Sequence, residues 1–320
     1  MFTVFIELKR DIKMGEQSLD ELGEMIGSGV FLTIAPIGIA GNLLIIIYFL
    51  KVNFGKWRKM SLYNFLIIQL AIVDMVTSVL NSYIIHEFYE GTWRLGELGC
   101  TFGIGFMIGT LPYLSCWVLV LISYERYRSI TQPFAISGTK CKYSIFICVI
   151  LVLCSLPFVP FMLKSRLVKD GDMVECEDGM RKFSGIEFLL YAFALRTLDC
   201  FLPAVLLCFF YRRIRNWMLN ESNDFPLTEE SKRRNSMALN VLRNLIIVYI
   251  ASVFPGRLVV TGLHIEDNFL NGELKYYFKL FHQLFSLISI LNNLVNVFVY
   301  AFMMKDFRRF LLTLITFGQM

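Results

Sequence analysis

The chain has 320 residues, 56% of them hydrophobic and 18% charged, with a mean hydropathy of +0.58. Soluble domains carry about 25% charged residues, and one this apolar would expose large adhesive patches. The composition excludes an ordinary soluble protein and makes lipid the expected solvent.

A membrane helix needs about 20 mostly apolar residues, and seven runs meet that length. Residues 1–29 are too charged for a cleavable signal, so the first run, 30–50, directs insertion itself; it contains Gly41-Asn42. The second run, 61–85, includes LAIVD at 70–74, which puts the carboxylate of Asp74 in mid-membrane. WRLGELGC at 93–100 leads into the third run, 100–124, which carries Ser115 and stops abruptly at Glu125-Arg126-Tyr127. After the fourth run, 143–163, Asp170-Gly171 flanked by Leu167-Val168 and Met173-Val174 gives a hairpin signal. The fifth run, 188–211, holds Arg196, Asp199, Pro203 and Tyr211.

The connection 212–243 is polar, and its RRNS at 233–236 has the two basic residues that basophilic kinases prefer, which makes Ser236 a candidate phosphorylation site. Phosphate there adds nearly two negative charges. The sixth run, 244–264, is interrupted by Pro255 and carries Arg257; the seventh, 277–303, carries Asn292, Asn296 and Tyr300. In the tail, 305–320, Phe307, Phe310, Leu311 and Leu314 form one stripe beside Lys305, Arg308 and Arg309, the pattern of an amphipathic helix on a membrane surface. The reading is an all-α membrane protein: an outer segment, 1–29, a seven-transmembrane helix bundle, 30–304, and a short amphipathic cytoplasmic helix, 305–320.

Basic residues set the orientation. The connections 51–60, 125–142, 212–243 and 305–320 hold 18 Lys and Arg against 6 acidic residues; the opposite set holds 11 against 18. The first set is expected in the cytoplasm, with the amino terminus outside the plasma membrane. A basic inner face suits anionic membrane lipid, so no nucleic-acid partner is needed to explain it. Of eight cysteines, only Cys100 and Cys176 fall on the oxidising side, which leaves one disulfide pairing within the chain; two free thiols are the alternative.

Together, Gly41-Asn42, Asp74, Trp93 with Cys100, Glu125-Arg126-Tyr127, Pro203 with Tyr211 eight residues on, Pro255, and NNLVNVFVY at 292–300 followed by KDFRRF resemble, in order, the landmarks of rhodopsin-like (class A) G-protein-coupled receptors. The likeness is to peptide-receptor-like and invertebrate-type members and runs from about 41 to 310. It implies an extracellular ligand and a heterotrimeric G protein as partners. It assigns coupling and activation to Glu125, Arg126, Tyr127, Tyr211, Pro255, Asn296 and Tyr300. Arg126 would pair with Glu125 at rest and be released when the sixth helix swings outward. The sequence departs from the family pattern at Val297, where the seventh-helix motif has proline, and at Val253, where the sixth-helix motif has tryptophan. The distance from Cys100 to Arg126 is one residue longer than the family's spacing.

A carboxylate near the bilayer centre is costly unless it is neutralised, paired or solvated. The resemblance gathers Asp74, Ser115, Asn292 and Asn296 into a cavity for a sodium ion and water; a protonated Asp74 in a water network is the alternative. Arg196 and Arg257 lie roughly 12 and 10 Å below the outer ends of their spans at 1.5 Å per residue, at the depth where the family binds ligands. Arg196 and Asp199 are three apart and can pair on one face. Arg257 has no acidic neighbour on its helix, so a ligand carboxylate or carbonyl is its expected partner, and a basic peptide suits the acidic outer surface.

The third run has no outer acid for an amine ligand, and the seventh has no lysine for retinal. Neither an organic cofactor nor a metal centre is expected beyond the sodium ion. His86, His264 and His282 show no metal or triad spacing, which argues against an enzyme. A transporter or ion-conducting protein is the competing reading. Against it, the polar groups cluster in the middle and inner half, cut off from the outside by the apolar GIGFMIG at 103–109.

Overall fold

The computed structural model describes residues 35–55, 60–89, 93–132, 139–170, 173–177, 185–220, 228–269, 281 and 295–316. Helix α1 is Ala35–Val52 and α2 is Leu62–Tyr89. Helix α3 (96–131) joins one α turn, Gly96–Leu98, to a π-helical stretch, Gly99–Thr110, and a regular α segment, Leu111–Thr131. Helix α4 is Lys140–Lys164 and α5 is Gly185–Asn220. Helix α6 is Glu229–Phe269, α7 is described over 295–303, and α8 is Lys305–Ile315. Among the described residues, α1, α2, α4, α5 and α6 each contain a stretch long and apolar enough to cross a membrane.

The main core lies between α2, α3, α5 and α6 and is closed below by α7 and α8. Asp74 and Asn42 sit inside it, each at 1% exposure or less. Helices α1 and α7 approach closely at Gly41: a Cβ there would lie 2.5 Å from Val297 Cγ2, so a larger residue would force that side chain to shift. The π turns have local causes. A wider turn accommodates an extra residue, and the π-helical stretch of α3 starts at its Cys100 end, with Arg126 at the other end. The stretch is glycine-rich, and Pro112, next to it, offers the preceding turn no N–H. In α5 the π turn Thr197–Phe201 stands just ahead of Pro203.

Two boundaries differ from the sequence expectation. Helix α5 runs nine residues past Tyr211, and α6 begins at Glu229 rather than at 244, so much of the polar connection is helical. Thr228 caps α6, its Oγ1 accepting from the Ser231 amide at 3.3 Å, and Glu229 pairs with Lys232 at 3.0 Å. Polar residues sustain a helix here because it has left the lipid, where water supports its sides.

The outer end is covered by an antiparallel hairpin, β1 (Arg166–Asp170) and β2 (Met173–Glu177). Cys176 on β2 is disulfide-bonded to Cys100 at the top of α3. Trp93 completes a small cluster with both cysteines; its amide donates to the Val174 carbonyl at 2.6 Å and its indole to the Gly96 carbonyl at 2.9 Å. At the inner end, α8 turns Phe307 fully inward, edge-on to Tyr48 of α1 with ring centres 5.1 Å apart.

Candidate functional site

The predicted site residues fall into three polar clusters stacked along the bundle. In the middle, Ser115 Oγ donates to Asp74 Oδ1 at 2.6 Å and Asn296 Nδ2 donates to Oδ2 at 2.5 Å. This joins α2, α3 and α7 through both oxygens of one carboxylate. A small cavity opens beside it, lined also by Leu70, Leu119 and Tyr249. The donor set is oxygen-rich, which suits a hard monovalent cation. Asn292, the remaining predicted member, lies outside the described residues. Among the described residues there is no group of three His, Cys, Asp or Glu able to hold another kind of metal ion.

At the inner end, Glu125 is buried at 8% exposure and accepts a hydrogen bond from Tyr143 Oη of α4 at 2.9 Å. The Arg126 guanidinium lies over the Tyr63 ring of α2, 3.2 Å from its centre. Glu125 and Arg126 thus each meet a tyrosine of a neighbouring helix, Tyr143 of α4 and Tyr63 of α2. Tyr127 is half-buried and packs obliquely on Phe210 of α5. Tyr211 is half-buried against the core. Tyr300 is almost completely buried, and its hydroxyl has no hydrogen-bond partner among the described residues. Ser236 lies exposed on the polar amino-terminal part of α6.

Toward the outer side, Arg196 Nη1 meets Asp199 Oδ2 at 2.5 Å, and both residues are buried. The pair forms within α5 through this one contact, while Arg196 Nε and Asp199 Oδ1 stay buried without a hydrogen-bond partner among the described residues. Arg257 of α6 is half-buried, its guanidinium 5.0 Å from the centre of the Tyr113 ring. Just beneath, the backbone of α5 is held from both sides. Pro203 has no N–H for the Asp199 carbonyl four residues back, and Tyr249 Oη of α6 donates to that carbonyl at 2.9 Å and to the Cys200 carbonyl at 3.3 Å. Trp117 Nε1 of α3 donates to the Leu198 carbonyl at 3.2 Å. Three successive carbonyls of a π turn are thereby shared with two other helices. Pro255 lies within α6, six residues beyond Tyr249.

Sequence reasoning missed Tyr63, Tyr113, Trp117, Tyr143 and Tyr249. The signal available for Tyr249 was Pro203, because a proline inside a span leaves a carbonyl that must find a donor elsewhere.

A buried carboxylate bridging three helices, an arginine at the end of α3 and a disulfide-anchored outer hairpin define a seven-helix membrane receptor. The family described as 7 transmembrane receptor (rhodopsin family) matches residues 41–300, and the chain belongs to it. Among similar proteins, the melanin-concentrating hormone receptor 2 of Homo sapiens is 24% identical over 286 residues, covering 86% of this chain and 80% of that receptor. The melanin-concentrating hormone receptor 1 of Macaca mulatta is 28% identical over 295 residues, 89% and 79% of the two chains. The urotensin-2 receptor of Bos taurus is 24% identical over 243 residues, 74% and 60%. The chain is a multi-pass membrane protein and a ligand-activated receptor of the G-protein-coupled class, not an enzyme.

Proposed function

We propose that the chain is a plasma-membrane receptor for an extracellular peptide, with its amino terminus outside and its carboxyl terminus in the cytoplasm, where it activates a heterotrimeric G protein. The observation that carries the coupling role is Arg126: a permanent charge at the inner end of α3, held over Tyr63 while the neighbouring Glu125 is engaged by Tyr143. An arginine stacked on an aromatic ring keeps its forked donors intact, and it becomes available to a partner once the inner ends of the helices separate. Pro255 weakens α6 where such a movement would begin, and the hydroxyls of Tyr211 and Tyr300 would then meet Arg126. Tyr127 packs the same end of α3 against α5.

The peptide reading rests on the outer surface, where acidic residues outnumber basic ones by 18 to 11 and would steer a cationic ligand inward. The similar receptors named for melanin-concentrating hormone and urotensin-2 are consistent with a hormone-like ligand. Asp74 and Ser115 would hold a sodium ion in the resting state, with Asn296 bracing the carboxylate; Asn292, four residues earlier in the sequence, is the remaining candidate. The ion would supply the positive charge that Asp74 otherwise lacks. Phosphate on Ser236 would place negative charge beside the G-protein face and weaken coupling. The test is a panel of G-protein activation reporters in cells expressing the chain, challenged with a peptide library. Ligand-evoked current or uptake without G-protein activation would overturn the proposal.

A further inference from the structure

Two guanidinium groups and one carboxylate meet between α3, α5 and α6. Asp199 is committed to Arg196, and both are within electrostatic reach of Tyr113, whose ring lies under Arg257. No carboxylate among the described residues forms an ion pair with Arg257. The cluster therefore carries one net positive charge, and arginine does not shed its proton to remove it. The Tyr113 ring offsets part of that charge but takes up none of the five N–H donors. Two polar atoms of the inner pair, Arg196 Nε and Asp199 Oδ1, are also buried without a hydrogen-bond partner among the described residues. Of the four residues, only Arg257 keeps appreciable exposed surface.

We propose that Arg257, backed by the Arg196–Asp199 pair and floored by Tyr113, is the subsite for a carboxylate on the activating ligand. The inference deepens the receptor reading and rests on it. A carboxylate supplies one negative charge, which neutralises the cluster, and two oxygens that fit the guanidinium fork. Arg196 plays a positioning part: by holding Asp199, it keeps that carboxylate from pairing with Arg257 and closing the subsite. A neutral carboxamide offers one acceptor and no charge, so it leaves the cluster uncompensated. For a peptide ligand this selects a free terminal carboxylate, or an acidic side chain, over an amidated end.

The experiment uses the purified full-length receptor in lipid nanodiscs, with 4-phenylbutyrate as the acid probe and 4-phenylbutanamide as its neutral match, at equal sodium concentration. Thermal unfolding reads binding directly and needs no G protein, so its failure is distinct from a failure of coupling. At about ten times its dissociation constant the acid is expected to raise the melting temperature by about 2–4 °C, and the amide to leave it unchanged. Arg257→Gln is expected to abolish the difference. Asp199→Asn, which leaves two uncompensated guanidinium groups, is expected to enlarge it. Equal effects of acid and amide on the wild type would overturn the proposal, as would an acid effect that survives Arg257→Gln. If Arg257→Gln yields no folded protein, an acid shift in Asp199→Asn no larger than in the wild type overturns it instead.

Discussion

Tyr249 on α6 donates its hydroxyl to the backbone carbonyl of Asp199 on α5, across the gap that Pro203 leaves in the α5 hydrogen-bond ladder. Both residues are buried at 2% exposure or less, so water does not replace the bond. Tyr249→Phe removes the donor and strands a carbonyl, at a cost of about 1–3 kcal/mol. The expected result is a lowered melting temperature of the purified receptor. Pro203→Ala restores an N–H that the Asp199 carbonyl can accept within its own helix, so the Tyr249→Phe penalty should shrink in that background. A double-mutant cycle measures the coupling. Strictly additive penalties would show that Tyr249 stabilises the bundle by packing alone.

Cys100 and Cys176 fasten the hairpin to α3, and Trp93 packs on the bond from the side. Cys100→Ala and Cys176→Ala are each expected to lower stability by about 2–4 kcal/mol. The double mutant should be no worse than either, since one covalent link is lost in every case. Melting temperature and cell-surface expression of the three variants check this; losses that add would mean the two side chains stabilise separate contacts.

The elements that lipid dictates were legible in the sequence. Apolar length marked the spans, and side-of-membrane counting left Cys100 only one partner. Asp74 announced itself because a carboxylate in an apolar run must be satisfied, and it was the family resemblance that pointed to Ser115 and Asn296 beside it. What escaped was of two kinds. The inner ends of α5 and α6 escaped because a helix beyond the lipid needs no hydrophobic run; Thr228 and the Glu229–Lys232 pair sustain it instead. The aromatic partners escaped because Tyr63, Tyr113, Tyr143 and Tyr249 read as apolar filler in a span. Their polar roles depend on which helix faces which, and on π turns that hydrophobic periodicity does not mark.

Arg126→Ala is expected to abolish G-protein activation while leaving surface expression near normal. The guanidinium stacks on Tyr63, and an exposed-to-half-buried cation–π contact contributes only about 0.5–2 kcal/mol, too little for its loss to unfold the bundle. Arg126→Lys keeps the charge but not the planar fork, so it should signal weakly rather than normally. Reporter assays normalised to surface expression check both variants. Full signalling by Arg126→Ala would remove the coupling role assigned to this residue.

The last prediction concerns Asp74. Its carboxylate takes one hydrogen bond from Ser115 and one from Asn296, and no lysine or arginine among the described residues pairs with it. Two neutral donors offset part of the cost of a charge at this depth, and a cation beside the carboxylate would offset the rest. A ligand that binds only the folded state stabilises it in proportion to the logarithm of its concentration above the dissociation constant. If sodium occupies the cavity, the melting temperature of the wild type should rise as sodium replaces N-methyl-D-glucamine at constant ionic strength. Asp74→Asn should be indifferent to the exchange, because the amide keeps the hydrogen-bonding shape but carries no charge to hold the ion. Ser115→Ala should shift the sodium response to higher concentration without abolishing it, since it removes one oxygen and leaves the carboxylate. A wild-type melting temperature that ignores the exchange would point to a protonated Asp74, and Asp74→Asn would then melt close to the wild type in either cation.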